Sequence, residues 1–246
     1  MHKINNIKKV KYLMIDWFPS QKQELVRMLD SFLSKTPELK IKEIHGLIVP
    51  HAGYAYSGEI AGKAFSLLKN KNINKAIVLG PSHYTAFTGI TSLEKFETPL
   101  GKANISKNSF NKISHEHSVE NQIPFLQKLN IKEILPIIVG QINWKEAEKI
   151  AKQFLKEDAI FIFSTDLSHF FKYNEAIKRD HSTIDIITNL KESEFQKIDA
   201  CGFYPLLILF QMCKIKSWKP ELIEYKNSGD ITGDKTSVVG YSSFWF

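Results

Sequence analysis

Four short apolar runs, each closed by turn-forming residues, limit the folds open to this chain: residues 44–50, 76–80, 134–140 and 159–164. None alternates apolar with polar as a half-exposed strand does, so each reads as a strand buried on both faces. Stretches with helical spacing separate and follow them, at 58–70, 119–130, 144–156, 173–190 and 203–214. Strands alternating with helices of this length connect through right-handed crossovers. The expected architecture is therefore α/β, a three-layer sandwich around a mainly parallel central sheet. A further amphipathic helix over 21–34 gathers Leu25, Met28, Leu29, Phe32 and Leu33 on one side and should pack on a face of that sheet.

No boundary interrupts the pattern, so one domain is expected over 1–246. Residues 85–114 mix polar, Thr and Phe side chains with weak alternation and read as an inserted loop or hairpin. Residues 222–225 and 238–246 look like strands of a hairpin at a sheet edge.

Composition removes several classes of function. With 43% hydrophobic residues and only 2 Cys, neither general disorder nor a disulfide scaffold fits, and a reducing, cytoplasmic address is the default. The longest apolar stretch, 203–213, falls short of the roughly 20 residues a membrane-spanning helix needs. Lys3, Lys8, Lys9 and Lys11 precede only a brief apolar run, so no export signal is expected. The net charge of +7 is spread along the chain and interleaved with Glu; it reads as a solvated surface, with no nucleic-acid partner.

Chemistry enters with the histidines. His51, His83 and His169 each follow the carboxyl end of an expected strand, and in an open parallel sheet those ends share the crevice where ligands bind. A lone histidine there is ordinarily a hydrogen-bonded structural residue. Three alike point to metal binding, acid–base chemistry or both. Asp166, three residues before His169, is placed to orient that ring or accept its proton. His117 and Glu120 lie one turn apart at the start of an expected helix, where they either face the crevice or form a capping box. Cys213 sits in an apolar run and reads as a core thiol. Cys201, at a helix start where free N–H groups favour thiolate, is available as a ligand or as the nucleophile of a cysteine hydrolase.

Seven ordered motifs then carry a resemblance. They are Pro50-His51-Ala52-Gly53-Tyr54 with Ser57-Gly58; Gly80-Pro81-Ser82-His83; Glu116-His117-Ser118-Val119-Glu120 followed by Pro124-Phe125; Ser164-Thr165-Asp166-Leu167-Ser168-His169; Asp199-Ala200-Cys201-Gly202 with Pro205; Tyr225 to Asp230; and Val239-Gly240-Tyr241. Over nearly its whole length the chain resembles the Memo-like proteins, called AmmeMemoRadiSam system protein B in prokaryotes. That resemblance implies a fold similar to class III non-haem iron extradiol dioxygenases. It implies His51, His83 and Cys201 as metal ligands, iron or alternatively copper as the cofactor, and His169 in the position of a catalytic base. Radical-SAM and AMMECR1-like proteins are the implied partners.

Cys201 stands where the dioxygenases have a carboxylate, and soft sulfur shifts the metal preference away from theirs. The chain also departs from the pattern at Asp16-Trp17-Phe18-Pro19, and at Tyr84, where eukaryotic relatives carry a second histidine. Two readings follow. One is a mononuclear metal site supporting a redox or oxygen-dependent reaction. The other is a non-catalytic module whose crevice holds a peptide or small acidic ligand.

Overall fold

The computed structural model describes residues 17–39 and 43–246; the lysine-rich start and Asp16 lie outside them. Four parallel strands form the middle of a nine-stranded sheet: β1 (Gly46–Val49), β8 (Ile160–Ser164), β2 (Lys75–Pro81) and β7 (Glu133–Val139), neighbours in that order. Antiparallel strands extend it on both sides. β11 (Val238–Trp245) pairs with β1 and β10 (Glu221–Asn227) with β11, while β3 (Ile90–Leu93) pairs with β7. β6 (Lys112–Ile113) lies parallel to β3 at the far edge, and the short β9 (His169–Phe171) attaches to β11.

The pleat explains why the central runs lack alternation. Leu47, Val49, Ala76, Val78, Ile160 and Ile162 face a core shared with α1 (Lys22–Leu33), α2 (Tyr54–Ser66) and α4 (Ile123–Lys128). Ile48, Ile77, Leu79, Phe161 and Phe163 face the opposite core, shared with α5 (Trp144–Phe154), α6 (Tyr173–Thr188) and α7 (Phe203–Lys216). Every second residue thus enters a different core, so both sets must be apolar. Each fully buried Leu, Ile or Phe contributes roughly 1.5–3 kcal/mol, which makes this double-sided burial the main force holding three layers together. Cys213 lies within the second core, as its apolar run implied.

Three expectations are modified. The helix expected at 58–70 begins at Tyr54, four residues earlier. The one expected at 119–130 is two: α3 (His117–Glu120) and α4. A continuous helix would need an N–H from Pro124, which has none. At the break, the side-chain amides of Asn121 and Gln122 donate to the carbonyls of His51 and Pro50, 2.7 and 3.0 Å away. The 85–114 segment contributes β3 and β6 to the sheet edge, besides a small hairpin of β4 (Glu97–Thr98) and β5 (Gly101–Lys102). The terminal hairpin exists, with β10 as the edge; the helix α8 (Ser228–Thr232) rather than a tight turn joins its strands.

Register decides where the site lies. Val49 is opposite Ser164, Leu79 opposite Phe163 and Pro81 opposite Val139, so these strands finish together along one edge.

Candidate metal centre

Two residues past the ends of β1 and β2, His51 and His83 meet with ring centroids 5.2 Å apart. His117, the first residue of α3, joins them at 5.3 Å from His51 and 4.4 Å from His83. Ligand atoms of these three histidines all lie within 4.8 Å of one another, close enough to hold one ion. A glycine makes this possible: a Cβ on Gly80 would stand 2.4 Å from Ser118 Oγ, so only glycine lets α3 approach the end of β2.

The protonation of His51 follows from its neighbours. Ser164 Oγ donates to the Ser118 carbonyl at 2.5 Å and accepts from the Gln122 side-chain amide at 2.9 Å. Its one proton is spent, so at 2.9 Å from His51 Nδ1 it can only accept. Nδ1 therefore carries the hydrogen and Nε2 keeps a lone pair. Burial, reinforced by His117 and His83, holds the His51 pKa well below the ordinary value, which keeps the ring neutral as a ligand must be.

That free Nε2 faces Cys201 Sγ at 3.2 Å. Cys201 sits in the turn ahead of α7, where its sulfur accepts from the Asp166 N–H at 3.2 Å. Gly202 brings the turn close by donating to Thr165 Oγ1 at 2.8 Å. The expectation of a thiolate is corrected here. Burial, and then the Asp166 charge, push the thiol pKa up, outweighing any helix-terminus effect and removing support for a metal-free cysteine hydrolase.

Glu116 is fully buried under the cluster. One carboxylate oxygen accepts from the His83 backbone N–H at 2.6 Å, while the other accepts from His83 Nδ1 at 2.9 Å and the Ser118 N–H at 3.0 Å. Burial alone would raise its pKa, yet hydrogen bonds from His117, His83 and the backbone outweigh that and hold it far below the usual carboxylate range. His117 Nδ1 also meets the Tyr84 hydroxyl at 2.8 Å, and its ring is stacked by Trp17 at 4.2 Å.

The remaining expected residues divide. Asp166 accepts from the His51 backbone N–H at 2.8 Å and lies 3.9 Å from His51 Nε2, so its carboxylate serves His51 rather than orienting the His169 ring. Glu120 bonds His115 and the Glu116 N–H, closing the turn ahead of α3. Of the pair His117 and Glu120, the first thus enters the cluster and the second holds its support. His169 opens β9 and is not one of the three clustered histidines; His117 takes the place expected for it. Phe170, the extra residue of a bulge against β11, takes a φ of 64° and stands out into solvent.

Glu116, Ser164 and Gln122 carry no separate signal in the sequence beyond their places inside the motifs. The histidines they hold, His83 for Glu116 and His51 for Ser164, are 33 and 113 residues away, beyond what local spacing reveals.

Fold and cluster together define a class: an α/β protein with a histidine-rich, thiol-bearing cluster at the carboxyl ends of parallel strands. The chain belongs to the Memo-like family, whose model matches residues 16–245. Similar proteins include the MEMO1 family protein of Thermoplasma volcanium, 33% identical over 92% of this chain and 94% of that relative. The MEMO1 family protein of Aquifex aeolicus is 32% identical, covering 94% and 96% respectively. A further MEMO1 family protein, from Nitrosopumilus maritimus, is 30% identical over the same shares.

Proposed function

We propose that this crevice holds a single redox-active metal ion, iron in the first place and copper as the alternative, on His51, His83 and Cys201 with His117 beside them. The site would support a redox or oxygen-dependent reaction. The observation that carries this reading is the His51 Nε2 lone pair, fixed by Ser164 and directed at a thiol 3.2 Å away beside two further histidines.

The surroundings suit a cation. Glu116 and Asp166 are both buried, burial raises the Asp166 pKa, and among the described residues no Lys or Arg forms an ion pair with either. A buried anion lacking a cationic partner is costly, and a divalent ion would supply the missing charge. Two imidazole nitrogens and a sulfur form a softer set than the two-histidine, one-carboxylate arrangement of non-haem iron oxygenases, which keeps copper in contention. When bound, such an ion supplies electron transfer and polarises a ligand. The chain's own residues do the rest: Ser164 orients His51, Trp17 shields His117, and His169 accepts or returns a proton at the mouth.

A reducing, cytoplasmic setting suits a chain in which Cys201 and Cys213 are both free thiols. Among the described residues no helix is long and apolar enough to cross a membrane. Radical-SAM and AMMECR1-like proteins are the partners we propose, on family membership. Metal analysis of protein purified without oxygen tests the site: wild type should carry iron or copper, with Cys201→Ser and His51→Ala depleted. Equal metal content in all three would sink the reading, and His117→Ala decides whether the third histidine is also a ligand.

A further inference from the structure

We infer that Glu116 is the positioning residue that sets which nitrogen of His83 is free. The inference borrows from the proposed metal site only its consequence; its geometry stands alone. Two backbone N–H groups, those of His83 and Ser118, point at different oxygens of the one carboxylate, at 2.6 and 3.0 Å. A backbone N–H can only donate, so both oxygens accept, and this convergence of donors on the two oxygens favours the ionised carboxylate. The third contact, His83 Nδ1 at 2.9 Å from the same oxygen as Ser118, must then come from a protonated Nδ1. In the neutral ring, the form a metal ligand must take, Nε2 is then left with a lone pair.

The same arithmetic shows why no neutral isostere would serve. A glutamine at this position has one oxygen and one NH2. With its oxygen toward Ser118 and His83 Nδ1, the NH2 confronts the His83 backbone N–H. Turned over, the NH2 confronts the Ser118 N–H and drives His83 to accept at Nδ1, which moves the ring proton to Nε2 and blocks that nitrogen. Because Glu116 also caps α3 through Ser118 and lies 3.3 Å from His117 Nδ1, one buried charge sets the geometry of two of the three clustered histidines. Partners of this kind characteristically alter metal affinity by about 10–100-fold.

The test compares wild type with Glu116→Gln in metal-free protein. Imidazole 15N chemical shifts report the His83 tautomer directly, and anaerobic titration with Fe(II) alone reports affinity. The expected result is a single Nδ1-protonated His83 in wild type, an Nε2-protonated population of His83 in the variant as its amide turns over, and Fe(II) binding weakened about 10–100-fold with a native circular dichroism spectrum. A wild-type His83 protonated at Nε2 overturns the inference even if the variant fails to fold. So does a folded variant with unchanged tautomer and unchanged affinity. A tautomer change in protein that binds no Fe(II) in either form upholds the role of Glu116 and defeats the metal reading instead.

Discussion

Two buried carboxylates show how much one hydrogen-bond partner decides. Both Glu116 oxygens face backbone N–H groups, and its pKa is held down. Asp180 on α6 is equally buried, but one oxygen accepts from the Ser168 N–H at 2.9 Å and the other from the Tyr225 hydroxyl at 2.8 Å. There burial wins and the pKa is raised. A hydroxyl can turn and accept, so Asp180→Asn can keep both contacts, with its oxygen on Ser168 and its NH2 on Tyr225. A carboxyl whose folded pKa exceeds its unfolded one adds stability below the unfolded value, and that stability is lost as pH rises through the folded value. At pH 7 wild type therefore lacks this contribution, and Asp180→Asn should be as stable or more stable. The variant's relative advantage should shrink on going to pH 4. Urea unfolding midpoints at the two pH values measure it; a variant that is clearly less stable at pH 7 would contradict the account.

Among the elements, the contact between β2 and α3 matters most, since it brings His83 to His117. Gly80→Ala would put a methyl 2.4 Å from Ser118 Oγ and 2.9 Å from Val119 Cγ1, both buried. Overpacking of this kind costs about 1–3 kcal/mol, and the displaced helix carries Glu116 and His117 with it. Denaturant midpoints should fall and Fe(II) affinity should drop together; a fall in stability with unchanged affinity would show that the helix position is immaterial to the site. This joint explains what was legible in the sequence. The four central strands announce themselves because burial on both faces leaves no polar position within them. His51, His83 and Cys201 are legible from motifs and strand ends, and His117 from its place at a helix start. Pro124 announces the break between α3 and α4, but the side-chain bonds by which Asn121 and Gln122 tie it to the end of β1 are not legible, because their acceptors, the carbonyls of His51 and Pro50, lie some seventy residues earlier. Nor is the edge that residues 85–114 add, because β3 and β6 are only four and two residues long and are defined by pairing, β3 on β7 and β6 on β3, rather than by their own pattern.

For the molecule as a whole, the cluster is drawn from segments far apart in the chain. His51 follows β1, His83 follows β2, His117 opens α3 and Cys201 precedes α7. An ion bound to them would join segments that the unfolded chain holds apart, so it would bind the folded state and leave the unfolded state nearly untouched. Ligand at about 100 times its dissociation constant then stabilises the fold by roughly 2.7 kcal/mol. At about 2–4 °C per kcal/mol for a chain of this size, the melting temperature should rise by roughly 5–11 °C when Fe(II) is added anaerobically. His51→Ala, which removes the one ligand whose free nitrogen faces the thiol, should show almost none of that shift. Glu116→Gln should fall between them, since it impairs His83 but leaves His51 and Cys201 in place. Equal shifts in wild type and His51→Ala would mean that the ion binds elsewhere on the protein, and the convergence of strand ends would then lose its functional explanation.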